Sequence, residues 1–255
     1  MTGPCTHAAA SWRMRSAQGL SLVETTIILV VLSVLTAVVA PAAGSYIEGA
    51  RNTKAKKDVE TIGAAIDQLL GNTGMLCLSL NGSSCANSTT GRVELLVSGA
   101  AVGLNEPTVV MASFTAPAST ASATSLNWAG GTGEVTDARR DLMDRQFVTN
   151  AAGYTAVGFT GGGGPKAGIG WRGAYLNGPI DVDPWGYAYQ ANTVFLAVAS
   201  DAADGTGAGQ LRGGWTNDVM VISAGSNGVI QTAFGSTGAS GAGDDIVYVV
   251  QGATR

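Results

Sequence analysis

From Leu20 to Ala40 the chain reads LSLVETTIILVVLSVLTAVVA, 21 residues in which Glu24 is the single formal charge. At a helical rise of roughly 1.5 Å per residue the run is about 30 Å long, the thickness of a bilayer's hydrocarbon core. The pattern then changes. Val59, Ile62, Ile66, Leu69 and Leu70 recur at three- and four-residue spacing, with Lys54, Lys56, Lys57, Asp58, Glu60 and Asp67 mostly on the other faces. That periodicity predicts an amphipathic helix packed on a sheet, stopped by Gly71-Asn72. Together the two stretches predict a rod on the order of 75 Å with a kink near Pro41. In the last third, Thr193–Val198, Asp218–Ile222, Val229–Thr232 and Ile246–Gln251 are rich in Val, Ile, Phe and Tyr between Gly-containing turns, which predicts a small antiparallel sheet. Between these regions, Ala112–Gly133 is rich in Ser, Thr and Ala, Glu134–Phe147 carries a helix-like charge pattern, and Gly158–Gly170 is dense in glycine. Loops around one short helix are expected there. The fold class is thus α+β: a long N-terminal helix, membrane-spanning in its first half, packed on a small C-terminal antiparallel sheet.

Composition narrows the function classes. A chain of 255 residues with 45% hydrophobic and 13% charged residues is not a disordered acidic or basic tail. Its 37 glycines and 6% aromatics point to many turns and thinly packed loops. A net charge of −4 offers no electrostatic footprint for a phosphate backbone, so no nucleic-acid partner is expected. His7 is the only histidine, which argues against a His-based triad, a His-ligated zinc or a His general base. No acid/base pair or nucleophile constellation stands out, and no enzymatic activity is expected. Gly161–Lys166 lacks the G-x-x-x-x-G-K-[ST] order of a phosphate loop, because Pro165 intervenes and Ala167 follows the lysine. Asn81-Gly-Ser83 and Asn87-Ser-Thr89 match the glycosylation sequon.

Arg13 and Arg15 precede the apolar run, favouring a cytoplasmic N-terminus and an exported body; Arg51, Lys54, Lys56 and Lys57 oppose that vote, but large C-terminal domains translocate largely regardless of charge. The basic cluster reads either as a solvated helix face or as a contact with phospholipid head groups. Three accounts of the apolar run compete. A secretory signal with Ala40-Pro41-Ala42 as its cleavage site would release a soluble, calcium-binding protein, but the run exceeds the usual length of about 7 to 15 residues. A plain membrane anchor leaves Glu24 unexplained, since an unpaired ionisable group in the bilayer costs roughly 3 kcal/mol or more. Cleavage between Gly19 and Leu20 would free an α-amino group with a pKa near about 8, four residues before Glu24. In staggered parallel helices the amine of one subunit can meet the carboxylate of its neighbour, which makes Glu24 a register device.

Gln18-Gly19-Leu20-Ser21-Leu22-Val23-Glu24 followed by an apolar helix resembles the class III signal of type IV pilins and type II secretion pseudopilins. The resemblance implies cleavage after Gly19 by the prepilin peptidase, N-methylation of Leu20, an assembly role for Glu24, and a helix-kinking role for Pro41. Leu20 replaces the family's usual phenylalanine. Met14 would give the short leader MRSAQG, so translation is expected to start at either Met1 or Met14. The expected segments are a leader (1–19), a transmembrane and filament-core helix (20–42), a periplasmic amphipathic helix (43–71), a loop-rich insertion (72–170) and a C-terminal β-sheet region (171–255).

Loss of Cys5 with the leader leaves Cys77 and Cys85, enclosing the polar loop LSLNGSS. An even pair in an oxidising compartment reads as a disulfide, or alternatively as two unrelated thiols. Asp183-Pro184-Trp185-Gly186-Tyr187-Ala188-Tyr189 resembles the DPWG-x-x-Y segment of the type II secretion major pseudopilin. In it Pro184 would fix a turn, Trp185 would anchor the sheet, and Gly186 would allow close backbone approach. The same family has a turn S-x-G-x-D-G and a later D-D-I whose oxygens hold calcium. Here Ser223–Gly228 and Asp244-Asp245-Ile246 stand in those places, implying Ala224, Ser226, Asn227, Asp244 and Asp245 as ligands. Calcium takes about six to eight oxygens, and Asn227 replaces the family's aspartate, keeping an oxygen and losing a charge; a solvated acidic turn is the alternative. The resemblance implies a homopolymer through the N-terminal helices that drives export of folded proteins. Its partners would be the prepilin peptidase, an inner-membrane assembly platform, minor pseudopilins and, before assembly, membrane lipid. The location would be the bacterial inner membrane, single-pass, with a periplasmic body and filament. A type IV pilin for adhesion, motility or DNA uptake is the alternative.

Overall fold

The computed structural model describes residues 21–75, 77–82, 93–99, 112–114, 126–128, 131–132, 140–156, 169–196, 218–236 and 241–250. The chain divides into two units, 1–48 and 49–255. Helix α1, Leu22–Thr73, contributes to both. In the first unit every described side chain from Ser21 to Ile47 is exposed, and Pro41 lies inside the helix.

In the second unit the stripe read from the sequence is buried: Val59, Ile62, Ile66 and Leu69 are at most 1% exposed, joined by Ala55 and Ala65. Leu70 is partly buried against the same core. The helix runs past Gly71-Asn72 and stops two residues later than expected. Gly74 adopts φ 64° and its N–H donates to the Leu70 carbonyl at 2.9 Å, a left-handed cap that a β-carbon disfavours. Gly71 lacks such a role and stays helical.

Five strands form the main sheet: β1 (Leu95–Val97), β5 (Arg140–Leu142), β6 (Gln190–Ala191), β7 (Met220–Ser223) and β9 (Ile246–Val249), in the order β5-β1-β6-β7-β9. The sheet is mixed rather than antiparallel, because β1 and β5 pair in parallel, Leu95 opposite Arg140, while the other pairs are antiparallel. Short pairs flank it: β2 (Ser113–Phe114) with β8 (Val229–Ile230), and β3 (Leu126–Asn127) with β4 (Gly131–Thr132). The charge pattern over Glu134–Phe147 resolves into β5 followed by a short helix α2, Met143–Phe147, with 133–139 outside the described residues. Of the run Thr193–Val198, Thr193–Phe195 forms a 3-10 turn rather than a strand, and 197–198 lie outside the described residues.

α1 meets the sheet through specific contacts. The Tyr189 hydroxyl donates to Asp58 Oδ2 at 2.7 Å, and the ring of Tyr248 on β9 covers Gly63 so closely that a β-carbon there would overlap it. Gly63→Ala is therefore expected to destabilise the fold by about 1–2 kcal/mol in urea unfolding, although alanine favours a helix by about 1 kcal/mol. Gly49→Ala, with open space around it, is expected to stabilise by up to about 1 kcal/mol.

A second anchor is a buried polar network behind α2. Asp141 Oδ1 lies 2.9 Å from Arg145 Nε, and Asp141 Oδ2 accepts from Gln146 Nε2 at 2.6 Å. Gln146 also donates to the Ser79 carbonyl at 2.9 Å and accepts from the Tyr154 hydroxyl at 2.5 Å. Tyr154 in turn accepts the Ser79 N–H at 2.9 Å. Burial pushes the Tyr154 phenol well above its ordinary pKa, so it stays a donor. The network ties the chain after α1 to α2, beside Cys77, which is buried and disulfide-bonded. Cys85, the partner expected for it, lies outside the described residues.

Candidate functional site

Two regions carry the expected functional residues, one in each unit. In the first, Ser21 starts α1: the Glu24 N–H donates to Ser21 Oγ at 3.3 Å and the Thr25 N–H to the Ser21 carbonyl at 3.1 Å. Ser21-x-x-Glu24 is the capping-box pattern, legible in the sequence and overlooked there; it places Glu24 in the first turn, where the helix dipole favours a carboxylate. Gly19 and Leu20, the expected cleavage pair, lie outside the described residues. The hydroxyls along the apolar stretch are satisfied internally. Thr25, Thr26, Ser33 and Thr36 donate to the carbonyls of Leu22, Val23, Val30 and Leu32 at 2.8–2.9 Å. Hydroxyls tied back in this way enter an apolar environment at little cost, whereas the Glu24 carboxylate has no hydrogen bond among the described residues. Leu22, Val23, Leu29, Val30, Leu35 and Val38 are each more than half exposed. By length and composition this helix can cross a membrane, with a mean hydropathy of 2.5 over its most apolar window. Lys54 and Lys57, of the basic cluster beyond it, pair within the helix with Asp58 at 2.6 Å and Glu60 at 3.9 Å.

In the second unit, Asp183 organises the DPWG segment. Its Oδ1 accepts the N–H groups of Trp185 and Tyr187 at 3.0 and 2.8 Å, its Oδ2 accepts the Ser223 hydroxyl at 2.7 Å, and its own N–H donates to the Tyr187 carbonyl at 2.8 Å. The turn is thus clamped by an aspartate and joined to the end of β7. Trp185 is partly buried and packs against the core, while among the described residues the fully buried tryptophan is Trp128, whose Nε1 donates to the Thr232 carbonyl at 2.8 Å and whose ring meets Phe234 edge-on at 4.9 Å. Gly186 has open space around it, so its φ of 99° accounts for the glycine and close backbone approach does not.

Ser223 leads from β7 into the acid-bearing loop. Asp244 Oδ2 accepts from the Ser226 hydroxyl at 2.8 Å and the Asn227 N–H at 3.0 Å. Asp245 Oδ2 accepts from the N–H groups of Gln231 and Thr232 at 2.8 and 2.6 Å and from the Thr232 hydroxyl at 2.7 Å. The structure therefore brings Ser226, Asn227 and Asp244 together, with Asp245 on the adjoining turn and Ala224 buried beneath. Asp244 Oδ1 and Asp245 Oδ1 are shielded from solvent and accept no hydrogen bond among the described residues. Burial works against the charge of both carboxylates. At Asp244 hydrogen bonds from Ser226 and Asn227 outweigh it and hold the pKa below its ordinary value; at Asp245 burial prevails and the pKa rises. Two shielded, unbonded carboxylate oxygens suit a hard cation that takes oxygen ligands. Among the described residues no group of three or more His, Cys, Asp or Glu converges, so the remaining ligands would be neutral oxygens.

No protein-family model, curated protein or solved structure matches the chain.

Proposed function

We propose that the chain is the structural subunit of a type II secretion pseudopilus, closest to the major pseudopilin. It is made as a prepilin, cleaved after Gly19, methylated on Leu20 and polymerised from the inner membrane into a periplasmic fibre that drives folded proteins outward. The observation that supports this best is the apolar half of α1, exposed along its whole length with its hydroxyls satisfied internally, so that Glu24 alone needs a partner. A bilayer covers such a surface before assembly, and the same helices of neighbouring subunits cover it afterwards. Removing large apolar side chains from water is worth about 1.5–3 kcal/mol each, and the Glu24 carboxylate meets the α-amine of the next subunit. The prepilin peptidase, an assembly platform and minor pseudopilins are the partners this reading needs. Export also accounts for a disulfide at Cys77.

In this reading Asp244 and Asp245 would hold calcium through Oδ1, with neutral oxygens from Ala224, Ser226 and Asn227. When bound, the ion neutralises the paired carboxylates and cross-links the loop. The filament reading is tested by the intact mass of the protein extracted from its host membranes. The expected mass begins at Leu20 and carries one added methyl group. A chain beginning at Ala43 would lack Glu24 and half of the helix and would overturn the reading.

A further inference from the structure

We infer that Asn227 is a self-modifying residue, converted to a carboxylate through attack by the backbone nitrogen of Gly228. Asn227 is exposed, and Gly228 has no β-carbon to hinder the approach. The Val229 N–H donates to Asn227 Oδ1 at 2.6 Å, closing a ring of atoms that contains both the amide carbon Cγ and the Gly228 nitrogen. The side chain is thereby folded back over the next peptide. That hydrogen bond also polarises the amide carbonyl and faces the negative charge that develops on Oδ1 during attack, as donors aimed at an oxyanion do. The leaving nitrogen, Nδ2, is held only by a long 3.5 Å contact to Gln231 Oε1. The Gly228 N–H donates no hydrogen bond among the described residues, while the Gly228 carbonyl is fixed by the Ser113 N–H at 3.1 Å.

The step balances without a cofactor. The Gly228 nitrogen loses its proton and bonds to Asn227 Cγ, the Cγ–Nδ2 bond breaks, and ammonia leaves. Water then opens the cyclic imide, at Cγ to give aspartate with the main chain intact, or at the main-chain carbonyl to give isoaspartate. Aspartate carries its carboxylate where the amide stood, and isoaspartate carries it on the former main-chain carbonyl carbon of residue 227. The loop that holds Asp244 and Asp245 gains a third acidic group beside the Asp244 oxygen already bonded to the Asn227 N–H. The Gln231 amide can turn its NH2 toward the new carboxylate.

The other Asn-Gly pairs provide an internal comparison. Asn81 Oδ1 accepts instead from the Ser79 hydroxyl at 2.8 Å, so the side chain is turned to Ser79 rather than over the next peptide, whereas Gly82 and Gly228 are both closely packed, against Gly153 and Tyr187. Asn177 is exposed and makes no hydrogen bond among the described residues, so Gly178 attacks without assistance. Folded protein held at mildly alkaline pH and sampled over time by peptide mass mapping is expected to exchange the Asn227 amide for a carboxyl ahead of Asn177, with Asn81 last. An Asn227 that keeps its amide while Asn177 converts would overturn the inference. Its consequence for the loop rests on the calcium reading above and is measured separately. With calcium alone as the probe, Asn227→Asp is expected to show a larger calcium-dependent rise in melting temperature than Asn227→Ser. Equal melting in the presence and absence of calcium would overturn the calcium reading and leave the modification standing.

Discussion

Glu24→Gln is expected to abolish filament assembly while leaving α1 and the folded body unchanged. Glutamine serves as well as glutamate at the third position of a capping box, so the helix start set by Ser21 is preserved. The formal charge alone is lost. On the proposed filament reading, the α-amine of an incoming subunit would then enter the filament core unpaired, at a cost of roughly 3 kcal/mol or more, and subunit addition would weaken on the order of a hundred-fold. Sedimentation or electron microscopy of assembled material reads the effect. Circular dichroism and urea unfolding of the detergent-solubilised subunit supply the control. Normal fibres from the variant would remove the register role.

Asp141→Ala is expected to cost about 3–5 kcal/mol of stability, because it removes one side of a buried ion pair and leaves a cavity among buried polar groups. Asp141 is fully buried and the Arg145 side chain is only 15% exposed. The variant also removes one of the two acceptors of the Gln146 NH2, whose other hydrogen bond holds Ser79 and therefore the chain leaving α1. A shift in the urea midpoint at unchanged slope would measure the loss. The pH dependence has a definite sign. Burial raises the Asp141 pKa above its ordinary value, against the hydrogen bonds and the Arg145 charge that lower it. The folded chain therefore holds that proton more tightly than the unfolded one. The gap between wild type and variant is widest below the ordinary carboxylate range and narrows as pH rises through the raised value.

Legibility in the sequence followed how local each cause is. The apolar run and the stripe Val59-Ile62-Ile66-Leu69 are periodic along the chain itself, and they mark α1 to within a few residues. β9 falls within, and β7 overlaps to within one residue, β-branched runs that pattern alone reveals. The run beginning at Thr193 looks equally strand-like, yet distant partners decide it. Asn192 donates to the Phe234 carbonyl at 2.6 Å and accepts the Met220 N–H at 2.5 Å, and Thr193 donates to the Val93 carbonyl at 2.9 Å. Side chains thereby take over from the ladder at the end of β6, and the backbone turns. The Asp141–Gln146–Tyr154–Ser79 network was illegible for the same reason. Polar residues in a charged pattern read as solvated unless partners far along the chain are known. In the acid-bearing loop the resemblance supplied the residues, and the structure adds that Asp244 and Asp245 each keep one oxygen out of the hydrogen bonding.

The parallel pairing of β1 with β5 has an evolutionary corollary. Strands running the same way cannot be joined by a tight turn and need a crossover of a dozen or more residues. The segment from 98 to 139 is therefore an obligatory return path that could not be shortened to a hairpin without reversing β5. Added unstructured residues between its paired elements cost little, since each doubling of a flexible connection costs only about 0.6 kcal/mol. Drift in this chain should accordingly add residues between β1 and β5 far more readily than it removes them, and an affinity tag inserted there should leave the sheet register intact.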